Sequence, residues 1–293
     1  MMIDFLQSLV DGVLVGTTYS LIGIGFTLIF GVMHKINLSY ASASVGGAYC
    51  GLLLVGAAGG KSALLVFLMA AAAAGVIGYV VYLTCFRFIP ASHPLGTLMS
   101  TVGMLLLIDE IVVHATFGVP VAYPPLYEGP SIELGELYIR PDYLMVFAVG
   151  IAAMTVLTLL LYRSRLGLAT RAVSQQPVAA QLCGIALYRV NAATFVVTGV
   201  LGGIAGAMIG ASVGMLSPLL VLPLTVKGLI VTVIGGLGSI PGAIVAGLMV
   251  GGFENVLQYY RGVTERDLYV MLLLFVFLVF RPGGLFAAKS ERN

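Results

Sequence analysis

The sequence predicts an all-α, polytopic bundle of transmembrane helices in a single domain spanning residues 1–293, and three observations carry the prediction. Charged residues make up 9% of the chain, far below the roughly 25% usual in soluble domains. Mean hydropathy is +1.09. Apolar runs recur at about 6–33, 37–58, 62–85, 96–116, 142–162, 192–214, 219–235, 241–259 and 267–280. A helix needs about 20 apolar residues to cross a bilayer, and lipid offers no partner to bare backbone. The runs are therefore expected as about eight or nine spanning or half-spanning helices, broken helices included.

The amino terminus has no basic region and carries Asp4 and Asp11, so a cleaved signal peptide is not expected. The first run gives way to Gly31-Val-Met-His-Lys-Ile-Asn37-Leu-Ser39-Tyr40-Ala-Ser-Ala-Ser44-Val-Gly-Gly47, where polar side chains enter an apolar run. A second interruption, Gly235-Gly236-Leu-Gly238-Ser239-Ile-Pro241-Gly242, follows the short run 219–235, which contains Pro223 and Lys227 and reads as a half-helix or a tilted, broken one. Interrupted helices at corresponding places in two halves point to a translocation path, which nominates Asn37, Ser39, Tyr40, Ser44, Gly235, Gly236, Gly238 and Ser239; glycine used only for close helix packing is the other reading.

Between the runs 142–162 and 192–214 lies a basic loop, 163–191, with Arg163, Arg165, Arg171 and Arg189. Positive loops stay on the cytoplasmic side. Alternation then puts Lys35, Arg87, Arg281, Lys289 and Arg292 inside and only Lys61, Arg140, Arg261 and Arg266 outside, with the amino terminus out and the carboxyl terminus in. Acids fall the other way, Glu128, Glu133, Glu136, Asp142, Glu265 and Asp267 outside and Glu291 inside.

Inside the loop, Pro177 and Gly184 bracket a segment in the order of a helix with proline at its first position and glycine past its end, which predicts a helix over 177–183. Val178, Leu182 and Ile185 fall at spacings that place apolar atoms on one side, flanked by Arg171 and Arg189. Such a knob suits docking into a protein groove; an interfacial helix in an ordinary connection fits equally well.

The loop over 117–141 is rich in proline (Pro120, Pro124, Pro125, Pro130, Pro141) and tyrosine (Tyr123, Tyr127, Tyr138) and reads as a stiff, extended connector with an acidic rim. Gly199, Gly203, Gly206 and Gly210, with Gly202 beside them, and Gly247 and Gly251 form ladders that let backbones approach, within the subunit or across a dimer seam.

Charges at membrane depth are Asp109, Glu110, His114, Lys227 and Glu254. All stand toward the ends of their runs, where long side chains reach the interface, and no second-half carboxylate pairs with them by pattern. The three cysteines, Cys50, Cys85 and Cys183, lack ligand spacing, so neither a disulfide nor a metal is expected. Val55-Gly-Ala-Ala-Gly-Gly60-Lys61-Ser62 lacks the first glycine of a phosphate loop, and Gly236-Leu-Gly238-Ser-Ile-Pro-Gly242 misses the dinucleotide spacing. No nucleophile, base or metal-protease set is legible, so no catalytic residue, cofactor or nucleic-acid partner is expected.

Several strings, taken in order, resemble the LivH-type permease subunits of ATP-binding-cassette importers for branched-chain amino acids. They are Gly12 to Gly31, Asn37 after Lys35-Ile, Arg165-Leu-Gly-Leu-Ala-Thr-Arg171-Ala, Gly184-Ile185, Gly235 to Gly247 and Arg281-Pro-Gly-Gly-Leu-Phe286. The resemblance implies a multi-pass subunit of a bacterial inner membrane, paired with a second, LivM-like permease, two LivG/LivF-like ATPases and a periplasmic substrate-binding protein. It makes the basic loop a coupling element, in which residues 171 to 185, with Arg171, Pro177, Val178, Leu182, Gly184 and Ile185, insert into a cleft of an ATPase. The family pattern carries histidine and glycine where Tyr40 and Ala41 stand, and an acid near Ser174-Gln175-Gln176 that is absent here. A stand-alone secondary transporter or channel for small solutes is the alternative.

Overall fold

The computed structural model describes residues 2–57, 62–89, 94–125, 132–134, 137–281 and 283–286. Lys61, Tyr127, Glu128, Pro130, Glu136, Lys289, Glu291 and Arg292 lie outside the described residues.

The chain is all-α. In order come α1 (Met2–Met33), α2 (Tyr40–Ala57), α3 (Ala63–Val81) continued by a π-helical turn (Tyr82–Arg87), α4 (Pro94–Thr116), α5 (Pro141–Arg163), α6 (Arg165–Gln175), α7 (Pro177–Leu182), α8 (Leu187–Val213), α9 (Val221–Gly235), α10 (Ile240–Arg261) and α11 (Val263–Phe280). Among the described residues, eight helical segments are long and apolar enough to cross a membrane. α11 carries Glu265 in its first turn, with Arg266 and Asp267 directly after it.

Glycine seams hold the bundle together inside the subunit. A Cβ on Gly247 of α10 would stand 2.3 Å from Ser20 Oγ of α1, and one on Gly251 2.4 Å from the Gly16 Cα. Gly199 and Gly203 of α8 meet α3, where a Cβ would lie 2.4 Å from Ala74 O and 2.3 Å from Ala70 O respectively. Gly202 and Gly206 face Ser44 of α2, and Gly210 faces the ring of Tyr123. Both ladders therefore serve packing within the subunit, because dispersion between close backbones drives helix association where lipid is as apolar as the side chains. Phe195 of α8, wholly buried, packs on Tyr82 and Phe86 of the π-helical turn, with ring centroids 5.5 and 4.7 Å away.

The 117–141 connector is more structured than an extended path. β1 (Val121–Ala122) pairs antiparallel with β4 (Met215–Leu216), and β2 (Ile132–Leu134) with β3 (Leu137–Ile139). Tyr49 OH donates to Leu216 O at 2.6 Å, and Tyr123 N to Gly214 O at 3.0 Å. The Tyr123 bond and the β1–β4 pairing tie the connector to the end of α8, and the Tyr49 bond fastens β4 to α2.

Two interruptions expected within helices fall between them. The run 219–235 is one continuous helix, α9, entered by a 3-10 turn at Pro218–Leu220 and holding Pro223 in its first turn, where a missing N–H is tolerated. The chain breaks after it, at Gly236 and Gly238, both at positive φ. α1 likewise ends at Met33, His34 takes φ 53°, and α2 begins at Tyr40.

Candidate coupling and translocation elements

The basic stretch is helical almost throughout. Ser164 caps α6, its Oγ accepting from Gly167 N at 3.0 Å; α6 folds back on α5 at Gly167, which meets Leu161, and it buries Thr170 and Val173 as well. The expected helix over 177–183 appears as α7, Pro177–Leu182, with Pro177 in its first turn. Gly184 N donates to Gln181 O at 2.9 Å and Ile185 N to Ala180 O at 3.0 Å, the paired bonds of a Schellman end, with Gly184 at φ 82°. Residues 187–191, read as loop, already belong to α8.

One detail differs from the spacing argument. Val178 and Leu182 stand exposed on α7, Leu182 at 85%, but Ile185 is half-buried against the core. The Schellman turn reverses the chain after Leu182, so helical spacing no longer describes Ile185. The exposed knob is thus Val178 and Leu182. Arg171, also exposed, lies over the Tyr162 ring, 5.0 Å from its centroid.

The two interruptions and α6 come together at one end of the bundle. Gly31 lies against Gly238, and a groove of about 580 Å³ is lined by Gly31, His34, Tyr162, Arg171, Gly238 and Ser239 among others. Ser239 caps α10 by accepting from Gly242 N at 3.2 Å. Leu285 N donates to Ile234 O at 2.7 Å and Phe286 N to Gly235 O at 3.3 Å, so the segment Gly284-Leu285-Phe286 closes the end of α9. Gly235 and Gly236 are buried there, while Gly238 is open to the groove.

Asn37, Ser39, Tyr40 and Ser44 sit deep inside the subunit. Asn37 Oδ1 accepts from Ser39 N and Oγ at 3.2 and 2.8 Å, and Ser44 Oγ donates to Tyr40 O at 2.8 Å. Tyr40 OH donates to Thr198 O at 3.1 Å, and its ring meets Phe26 edge-on. Nearby Lys35 Nζ donates to Thr97 Oγ1 at 3.0 Å, and burial pushes the Lys35 ammonium below the usual lysine range.

At the other end, the structure assembles charges that spacing left apart. Lys227 and Glu254, expected to reach the interface, are buried at 7% and 3% exposure. Lys227 Nζ lies 2.7 Å from Glu254 Oε1 and 3.2 Å from Asp267 Oδ1; Arg266 Nε lies 3.0 Å from the same Glu254 oxygen. Tyr19 OH donates to Glu254 Oε1 at 3.2 Å, and its ring lies under Lys227 Nζ. A charge at membrane depth persists when paired, so this cluster is where α1, α9, α10 and α11 are electrostatically joined. Four helices supply it, and only the rarity of charge in the chain marks its members in sequence. Glu110 and His114, by contrast, form an exposed i,i+4 pair at 3.1 Å.

The model of the family described as branched-chain amino acid transport system / permease component matches residues 8–280. The high-affinity branched-chain amino acid transport system permease protein BraD of Pseudomonas aeruginosa is 30% identical over 96% of this chain and 95% of its own. The corresponding LivH of Salmonella typhimurium is 31% identical over the same shares. Among solved structures, PsaBC from Streptococcus pneumoniae in complex with Fab is similar at a TM-score of 0.53 and 12% identity, covering 100% of this chain and 98% of that one, a likeness of fold alone. The glycine seams, the continuous helical bundle and these matches agree, and the chain belongs to the family of branched-chain amino acid transport permease components.

Proposed function

We propose that this chain is one permease subunit of an ATP-driven importer for branched-chain or other hydrophobic amino acids. It works with a second permease, two ATPase subunits and a periplasmic binding protein that delivers the solute. The observation that carries this reading is α7, a six-residue helix held by a proline start and a Schellman end, which leaves Val178 and Leu182 bare beside Arg171. An exposed apolar pair on a short, fixed helix suits insertion into a groove of a partner protein. The names of the relatives, each a permease protein of a branched-chain amino acid transport system, support the solute class.

In this reading the α6–α7 end faces the cytoplasm, the amino terminus faces out and the carboxyl terminus in, as the arginines of 163–191 favour. The ATPases grip Arg171, Pro177, Val178, Leu182, Gly184 and Ile185, the last as a mount. Closure of the ATPases moves α6, which shares its groove with Gly238 and Ser239. The path runs past the two interruptions, with Asn37, Ser39 and Tyr40 at the start of α2, Ser44 one turn inside it, and Gly235 and Gly236 at the end of α9.

The test is Leu182→Glu in the assembled, reconstituted transporter. ATP-dependent leucine uptake and stimulated ATP hydrolysis are expected to fall together, by at least about tenfold, while membrane insertion is unchanged. Uptake equal to the parent transporter, or leucine flux in liposomes holding this chain alone, overturns the reading.

A further inference from the structure

The buried charges border a cavity of about 390 Å³ that the coupling and path residues do not touch. It lies at the end of the bundle where α5 and α9 begin and α8 and α10 finish, opposite the α6–α7 end. Its size falls within the roughly 300–1,000 Å³ of small-molecule sites.

Its chemistry is divided. One wall is apolar, with Val15, Ile209, Val213, Leu220, Pro223 and Leu224. The other carries Glu254 with Lys227, Arg266, Arg140 and Gln258. Glu254 takes three partners on one oxygen, Lys227, Arg266 and Tyr19 all meeting Oε1. Its Oε2 is buried and has no hydrogen-bond partner among the described residues. A buried carboxylate oxygen without a donor is unfavourable, and an ammonium group brings three N–H donors. Arg140 is held at the rim by Asp142 at 3.0 Å and by stacking on Tyr143, with its side chain 55% exposed and donors to spare. A guanidinium of this kind suits a carboxylate.

We propose that this cavity is a binding site for a free, zwitterionic amino acid with an apolar side chain. The ammonium group meets Glu254 Oε2, the carboxylate meets Arg140, and the side chain lies on the Ile209–Val213 and Leu220–Leu224 wall. The site deepens the importer reading and rests on it for the solute class. It lies within one subunit, so the chain receives solute without its permease partner.

The experiment uses the purified full-length chain in nanodiscs, titrated with L-leucine, with 4-methylpentanoate, which lacks the ammonium, and with 3-methylbutylamine, which lacks the carboxylate. L-Leucine is expected to raise Tm in a saturable way, and the two half-ligands to require at least about tenfold more for the same shift. Glu254→Gln is expected to abolish the leucine response. Val213→Trp fills the mouth from a position that is already 57% exposed, so it keeps the unliganded Tm and also abolishes the response. Equal shifts from all three compounds, no shift by leucine, or a full response in Val213→Trp overturns the site. The assembled transporter separates the two readings: leucine uptake undiminished in Val213→Trp ends this site and leaves the importer standing, whereas absent ATP-driven uptake beside intact leucine binding ends the importer and leaves the site.

Discussion

The Cα of Gly167 is pressed against the main chain of Leu161: a Cβ built on it would stand 2.2 Å from the Leu161 carbonyl oxygen. α6 is therefore folded back on the end of α5 with no room for a side chain at the hinge, and any shift of one helix is passed to the other. Gly167→Val forces them apart. It is expected to lower stability by about 1–3 kcal/mol, read as a lower Tm in detergent. An unchanged Tm would mean that α6 is loosely held, and the mechanical link to α5 would be lost with it.

The Lys227–Glu254 pair gives a second expectation. Both side chains are more than nine-tenths buried. Removing one partner of a buried pair strands the other charge, at a cost of about 3–5 kcal/mol, whereas replacing both by apolar groups of similar size restores much of it. Glu254→Leu should therefore be poorly folded, and Lys227→Met with Glu254→Leu should recover. A double-mutant cycle on thermal unfolding measures this. Additive losses would show that Asp267 and Arg266, not the pair itself, dominate.

Two glycines of similar appearance in sequence are expected to behave oppositely. Gly203 in α8 packs on α3, where a Cβ would be 2.3 Å from Ala70 O, and Gly203→Leu should open that seam, with a loss of about 1–3 kcal/mol. Gly103 in α4 has nothing within 4 Å of a built Cβ. Gly103→Ala should raise stability by about 0.5–1 kcal/mol through helix propensity alone. The two Tm shifts should differ in sign; the same sign in both would contradict the packing.

What the sequence made legible follows from which forces are local. Apolar run length located the spanning helices because a bilayer imposes it on every segment separately. Pro177 and Gly184 located α7 because each acts on its own backbone. α6 is not legible by composition, since its arginines, Ser174 and Gln175 resemble a loop; Ser164, three residues before Gly167, is the cap that could have disclosed it. The direction of Ile185 was missed because the turn after Leu182 breaks helical spacing. The pairing of Lys227 with Glu254 was invisible for a different reason. Their partners Tyr19 and Arg266 come from other helices, and only packing decides that four such residues share one interior. Likewise, the glycine ladders fixed where backbones touch but not which backbones.

The chain's three thiols differ sharply in their surroundings: Cys183, one residue past α7, is exposed, Cys50 is half-covered and Cys85 is sealed in. The Schellman end thus carries a natural chemical handle beside the exposed knob. A membrane-impermeant maleimide applied to intact cells should leave Cys183 unmodified, and the same reagent on inside-out vesicles should alkylate it. Added ATPase subunits should then shield it. Cys183 thus reports, with no engineering, on which side of the membrane α7 faces and on the docking proposed for it.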